Sequence, residues 1–593
     1  MSDKEELIGK VKLDLTYRNE QEDAAESIPD ELLEIVKTQD RKSYGKVILE
    51  HKSWPFLYHL SPFRENIIAW YPIAKTARVL EIGSECGAHT SVLCEKAGNV
   101  HAVDSSYKAC LINAHRNKDA DNLTVFACDP ITFIKNSIEK YDIITLIGGV
   151  SYTDELLGEL KALLAPGGKI LITVNNRIGL RYLAGYEDTS GAVRLTRKEL
   201  IASVEKQGFK EYSLYYPYPD ACLTDVIYSD DRLPGKGDLN ENIRNFDKER
   251  FVFFDEAKTY DDITEEGDFG AFSNSFFMAI GEDTDEKIIY AKISDSRDFR
   301  FQIITELYKT KTGISVRKIN KLSEGYEWIK NTKSNEEKLN KAFQGKVKIC
   351  PSTLTDSYLE FDYIEGEGMD KELKKACASC KKEEIISVLD KYYEIIRCMK
   401  TNDKFEATEK FKSIFGEPSI QEDSESGDIV NVDLVFPNII KSKGEDTIID
   451  YEWVFDFPIP LEFVFWRGLN YSKEISELDG KIRDDVYSHY GLTEEKVSIY
   501  REMEDSFQRY VYGDMVRLYD YSRVIPLLVH DTNELEIRIH ELEDHTTYLE
   551  DHTTYLESHT ANLEKHIEGL TNELTNIRNS KSWKILKFFK IVQ

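Results

Sequence analysis

Short apolar runs that end in glycine, each followed by a stretch of helical period, recur through the first third of the chain. Val79–Ile82 runs into the loop GSECG, a 3.6-period segment follows, and a second apolar run closes on Asp104. That order predicts strand, glycine turn, helix, strand. LTVFACDP, KYDIITLIGGVSY and LLAPGGKILITVNN continue the alternation as further strands. Together they predict an α/β, Rossmann-like doubly wound sheet with its ligand at the carboxyl ends of the strands. Polar, acidic sequence up to residue 44 reads as a flexible tail carrying one amphipathic piece, DELLEIVK.

The pattern changes after about residue 250. FGAFSNSFFMAIGEDTDEKIIYAKIS reads as two strands joined by an acidic turn, with Lys292 on the second, and SRDFRFQIITELY reads as a helix carrying Glu306. SYLEFDYIEGE is a further strand, a helical region extends to about 400, and NVDLVFPNIIKSKGEDTIIDYEW then places Asp433, Asn438 and Asp450 around two short apolar runs. These features predict an α+β domain. From 535 to 577 the period becomes seven: Leu542, Leu549, Leu556, Leu563 and Leu570 share one position, with Ile539, Thr546, Thr553, Thr560, Ile567 and Leu574 three residues before. This is an α-helical coiled-coil seam that implies a dimer or trimer, with Thr weakening one of its two core positions. His545, His552, His559 and His566 repeat with it, but seven residues separate them by about 10 Å along a helix, too far to share one ion. The expected boundaries are 1–44 tail, 45–235 first domain, 236–525 second domain, 526–579 coiled coil and 580–593 basic aromatic tail.

Composition narrows the function classes. A length of 593 residues demands several domains, and 33 Tyr with 28 Phe supply ample core. A formal charge of −30 argues against nucleic acid as a partner. Nine Cys with a single CxxC, Cys377 to Cys380, and no second such pair suggest neither a disulfide framework nor a zinc ribbon. No signal-like or membrane-spanning apolar run is present, so the expected location is cytoplasmic. Lys581, Lys584, Lys587 and Lys590 alternate with Trp583, Phe588 and Phe589 at the end. They suggest contact with a partner protein, such as a glycosyltransferase or polymerase, or with the anionic cytoplasmic face of a membrane.

Glu81, the loop glycines, Asp104, the pair Cys128–Asp129 and the ProGlyGly turn at 166–168 fall in the order of class I S-adenosylmethionine-dependent methyltransferases, which residues 45–235 resemble. The resemblance implies S-adenosylmethionine as cofactor, with Glu81, Gly83 and Gly87 at its methionine part, Asp104 at its ribose and Asp129 at its adenine. Glu85 departs from the family, which usually has glycine there. Tyr58, His59 and Arg64 in the lead-in, and Arg177 and Arg181 after the fifth strand, are candidates for holding the acceptor. Two Arg four apart on a helix would share a face suited to phosphate.

A strand Lys, a nearby Glu, Asp-x4-Asn and a later Asp are the parts of a phosphoryl-transfer centre. Lys292 would hold ATP phosphates and be steadied by Glu306; Asp433 would take the acceptor proton; Asn438 and Asp450 are oxygen ligands suited to Mg²⁺. Residues 250–525 thus resemble the aminoglycoside-phosphotransferase branch of the kinase-like fold. Asn431 and Val432 depart from its usual residues, and GAFSNS (270–275) is the best substitute for a phosphate loop. The whole order is similar to bifunctional methyltransferase–kinases that cap bacterial O-antigen chains, and also to methyltransferase modules attached to bacterial glycosyltransferases. The first likeness implies a glycan or sugar acceptor. A methyltransferase with a degenerate second domain and a non-catalytic scaffold are the alternatives.

Overall fold

The computed structural model describes residues 4–19, 28–148, 152–187, 192–239, 245–282, 285–420 and 423–590. Residues 1–248 and 256–527 form one compact unit; 249–255 and 528–593 form a second.

A long mixed sheet organises the first unit. Val11–Asp14, Leu123–Ala127, Asn99–Asp104, Arg78–Ile82, Tyr141–Leu146 and Leu164–Asn176 lie side by side and parallel. After the outer strand Val11–Asp14, the chain enters the centre of this set at Arg78–Ile82, winds outward to Leu123–Ala127, then returns to Tyr141–Leu146 on the other side. The crevice between Arg78–Ile82 and Tyr141–Leu146 is therefore the switch point where such sheets bind ligands. The central strands are buried on both faces, so they read as continuous apolar runs rather than alternating ones.

Two expectations are corrected here. Glu5–Ile8 and Val11–Asp14 are strands, the second pairing in parallel with Leu123–Ala127, so the described start of the expected tail belongs to the sheet; residues 20–27 of that tail lie outside the described residues. Ser275–Ile280, every residue buried, inserts antiparallel between Leu164–Asn176 and Tyr212–Tyr218. It completes the first sheet, so that sheet draws on residues beyond 235; of GAFSNS, Gly270–Phe272 lie in helix Phe269–Phe272 and Ser275 opens this strand.

Val226–Ser229 then carries the sheet across into a second set of antiparallel strands: Lys287–Ile293, Ile303–Thr310, Gly313–Asn320, Leu359–Asp362 and Ser352–Leu354. Helix Tyr326–Phe343 packs on this part. Beyond it lies a helical lobe of Met369–Ala378, Lys382–Arg397, Leu461–Asn470 and Glu494–Tyr512 around Tyr392, Phe411, Phe415, Phe463, Trp466 and Phe507. A hairpin, Ile439–Ser442 with Glu445–Ile448, links Asn438 to Asp450. The two halves are also pinned by polar contacts: Lys321 Nζ donates to Asn66 Oδ1 at 2.6 Å, and Asn66 Nδ2 donates to Asp295.

In the second unit Arg250–Val252 pairs in parallel with Val529–Asp531, and a single helix, Thr532–Asn579, follows. Its 48 residues span about 72 Å. Leu542, Leu549, Leu556 and Leu563 are all about half exposed. Thr546, Thr553 and Thr560 turn their hydroxyls back onto carbonyls four residues earlier. Ser580 caps a last helix, Lys581–Phe588, whose Phe588 is exposed. Among the described residues no helix is long and apolar enough to cross a membrane.

Candidate functional site

Two polar clusters stand out in the first unit. The first lies at the carboxyl ends of Arg78–Ile82 and Asn99–Asp104. Gly83 and Gly87 sit at φ +74° and +79°, and a Cβ on Gly87 would lie 2.4 Å from Asn113 Oδ1. Only glycine fits that approach. The loop then opens helix Ala88–Lys96. Asp104 receives the backbone N–H groups of Glu85 and Ser106, both at 2.9 Å, which fixes its carboxylate at the loop. Asp129 caps helix Pro130–Asn136 through the Thr132 N–H at 2.8 Å.

Glu81 is buried, takes a hydrogen bond from Thr90 at 2.6 Å on one oxygen, and has no partner on the other. Thr145 stands beside it on the neighbouring strand, and its hydroxyl and that of Ser84 are likewise buried without a partner among the described residues. Unsatisfied buried groups of this kind cost roughly 1–3 kcal/mol each and mark a place where a polar ligand would be bound. Burial pushes the Glu81 carboxyl up to about 8. Its folded form therefore binds more protons than its unfolded form between the ordinary carboxyl range and pH 8. Stability should fall as pH rises across that window and level off above it. Denaturant titrations at pH 5, 6, 7 and 8 should show a shallower fall in Glu81→Gln; an identical slope would count against the burial effect.

Tyr58, His59 and Arg64 gather beside this loop. Tyr58 donates to the Glu85 carboxylate at 2.9 Å, and Arg64 Nη2 does so at 3.0 Å. His59 is held neutral, its pKa lowered to about 3 by burial with Arg64 and Arg116 nearby. The expected arginine pair does not form. Arg177 lies before helix Leu180–Leu183 and pairs with Glu199 at 2.5 Å on the surface. Arg181 is consumed by Asp220 at 2.8 Å, Asn245 at 3.1 Å and Asp247 at 3.3 Å, with its guanidinium 3.7 Å over the Tyr186 ring. These contacts hold Arg181 within a network of its own elements. Arg181→Ala should lower stability by about 3 kcal/mol by leaving two carboxylates unpaired, seen as a shifted denaturation midpoint; an unshifted midpoint would refute it.

The second cluster lies between the antiparallel strands and the helical lobe. Lys318, buried on strand Gly313–Asn320, donates to Asp450 at 2.8 Å and also pairs with Glu452. Arg297 meets the other oxygen of Glu452 at 2.6 Å. Burial would raise Glu452, but Lys318 and Arg297 override it and hold the carboxyl at about 2. Asp450 is raised to about 6 by its burial, with Glu452 and Asp433 adding to the effect against Lys318. Asp433 pairs with Arg467 at 2.8 Å, and Arg467 is steadied by Glu504 at 2.9 Å. Asn438 donates to the Asp433 carbonyl at 2.8 Å, and Asn431 to the Asp450 carbonyl at 2.9 Å, which ties the two loops together. Asp433, Asn438 and Asp450 are thus brought to one place.

Lys292 and Glu306 are not part of it. Ile303–Thr310 is a strand rather than a helix, and Lys292 stands opposite Thr305 while Glu306 stands opposite Ala291. Alternation along the pleat sends neighbouring positions to opposite faces. Lys292 is exposed, whereas Glu306 is buried facing Lys96 and Arg317. Lys318, which the sequence pattern did not single out, is the lysine that meets Asp450. The usable signal was its place on the strand just before the long helix Tyr326–Phe343.

No family model matches the chain, and no curated protein does. Among solved structures the chain is similar to a SAM-dependent methyltransferase from Archaeoglobus fulgidus, at 14% identity over 42% of this chain and 98% of that one, with a TM-score of 0.25. It is also similar to phosphoethanolamine N-methyltransferase 2 of Haemonchus contortus, at 19% identity, 42% of this chain, 59% of that one and a TM-score of 0.25. A third is precorrin 8w decarboxylase from Methanobacterium thermoautotrophicum, at 20% identity, 26% of this chain, 75% of that one and a TM-score of 0.20.

Proposed function

We propose that the chain is an S-adenosylmethionine-dependent methyltransferase joined to an ATP- and Mg²⁺-dependent sugar kinase, together modifying the end of a bacterial surface polysaccharide. The observation that carries the methyl-transfer half is the set of partnerless buried oxygens on Glu81, Ser84 and Thr145 at the switch point of the parallel sheet. An amino-acid ligand with a nucleoside attached suits that chemistry. Asp104 would accept from ribose hydroxyls, Glu81 from the donor's ammonium group, and Asp129 from the adenine amino group. The bound donor supplies an electrophilic methyl group. The chain's own residues orient it and keep water from the crevice.

For the phosphoryl half, Lys318 would hold phosphate oxygens, and Asn438 with Asp450 would hold Mg²⁺, which accepts few protein ligands and retains waters. Asp433 would orient the sugar hydroxyl and take its proton. Methylation of the hydroxyl or of the phosphate placed on it would block extension of the glycan. The seven-residue leucine repeat on Thr532–Asn579 supports parallel association into a dimer or trimer. The Lys-rich terminal helix would contact a polymerase or an anionic membrane surface on the cytoplasmic side.

Calorimetric titration of the full chain with S-adenosylhomocysteine and with Mg·ATP tests this reading. Both should bind, Asp104→Ala should lose the first alone, and Asp450→Asn the second alone. A chain that binds neither is a scaffold.

A further inference from the structure

Glu85 stands in the middle of the loop between Gly83 and Gly87, with φ +47°. A side chain in that left-handed region costs roughly 1–2 kcal/mol that glycine would not pay. Backbone strain kept at a candidate site calls for a reason. Its carboxylate supplies one. Tyr58 donates to both Glu85 oxygens, at 2.9 and 3.1 Å, and Arg64 Nη2 approaches one of them at 3.0 Å. Arg64 is itself only 4% exposed; its Nη1 reaches Cys222 Sγ at 3.3 Å and its guanidinium lies 3.9 Å over the Tyr58 ring. A Cβ built on Gly148, just past strand Tyr141–Leu146, would lie 3.9 Å from both Glu85 oxygens and 3.7 Å from Arg64 Nη2. The carboxylate thus lies across the ends of the two central strands, in the crevice itself.

A buried guanidinium beside a phenol hydroxyl is a carboxylate-recognising pair. His59 and His89, also close to Arg64, are both kept neutral by burial, so Arg64 supplies the positive charge. The proposed donor carries one carboxylate, at the amino-acid end away from the adenine and ribose that Asp129 and Asp104 would hold. We infer that Tyr58 and Arg64 are the anchor for the donor's carboxylate, and that Glu85 occupies this anchor as an internal stand-in which the donor must displace. This rests on the methyl-donor reading above and reassigns Tyr58 and Arg64 from acceptor to donor. Without an anion, buried Arg64 would carry an uncompensated charge. Glu85 removes that cost and lowers donor affinity in exchange.

Calorimetry of the full chain with two ligands tests it: S-adenosylhomocysteine, which has the carboxylate, and 5′-methylthioadenosine, which lacks both carboxylate and ammonium. Glu85→Ala should bind S-adenosylhomocysteine at least about tenfold more tightly than wild type, the scale of one charge-assisted bond. Methylthioadenosine affinity should not change, and adding Arg64→Ala should abolish the gain. Glu85→Gln, which keeps the side-chain volume, should give a smaller gain and covers the case in which the alanine variant is unstable. Equal gains for both ligands would mean that Glu85 only fills space, and would overturn the exchange. No gain for S-adenosylhomocysteine, with both ligands bound, would overturn it while leaving the donor reading intact. If no variant binds either ligand, the donor reading fails and the inference falls with it.

Discussion

Lys318→Met should abolish Mg·ATP binding and lower any phosphoryl transfer by about 10²-fold or more, while Lys292→Met should leave both unchanged. Lys318 is the cation between Asp450 and Glu452, whereas Lys292, two strands away on the same face, is exposed and pairs with neither. Preorganised positive charge in a dry cleft is the main means by which such centres stabilise transferring phosphate. The substitution also leaves Asp450 without its cation, while Glu452 keeps Arg297, so stability should fall as well. Binding should therefore be measured well below the variant's midpoint, with Asp450→Asn, which is nearly isosteric and removes that charge, as a second probe. A Lys292 variant that fails to bind nucleotide, beside a Lys318 variant that still does, would reverse the assignment.

Gly468→Ala should be among the most damaging single-methyl changes in the helical lobe. A Cβ there would lie 2.0 Å from the Tyr392 hydroxyl and 2.7 Å from Cζ. Tyr392 is fully buried and donates to the Leu434 carbonyl at 2.7 Å, inside the loop between Asp433 and Asn438. The tyrosine would have to move, adding overpacking of about 1–3 kcal/mol to a lost buried hydrogen bond of about 1 kcal/mol. The Asp433 loop would lose its support, so Mg·ATP-dependent turnover should fall together with the melting temperature. Tyr392→Phe in the same chain removes the atom in closest conflict and should restore part of the stability. In a double-mutant cycle the two changes should couple; simple additivity would rule out the proposed clash.

How far the sequence reached depended on how local each feature is. Asp433, Asn438 and Asp450 lie within one hairpin and its flanks, so their spacing carried their geometry. The glycine loop and Asp104 were legible for the same reason: one strand–loop–helix–strand unit holds them all. Lys318 was not, because its partner is 132 residues away and the pairing depends on which strand of an antiparallel set faces the acidic loop. Ile303–Thr310 was misread as a helix because six apolar or aromatic residues among FRFQIITELY fit either period over so short a span. Ser275–Ile280 returns to the first sheet about a hundred residues after its neighbour Leu164–Asn176, a separation at which periodicity is silent. The arginines at 177 and 181 share a spacing but not a helix, since the helix begins only at Leu180.

The backbone ladder that runs unbroken from Glu5–Ile8 to Ser352–Leu354 passes beneath both clusters. With no linker between the two centres, neither can swing over to meet the other. Under the proposed function, a product of one centre would have to travel to the second by its own bending, so reach and suppleness of the acceptor chain, rather than a protein hinge, would set how often a second reaction follows the first.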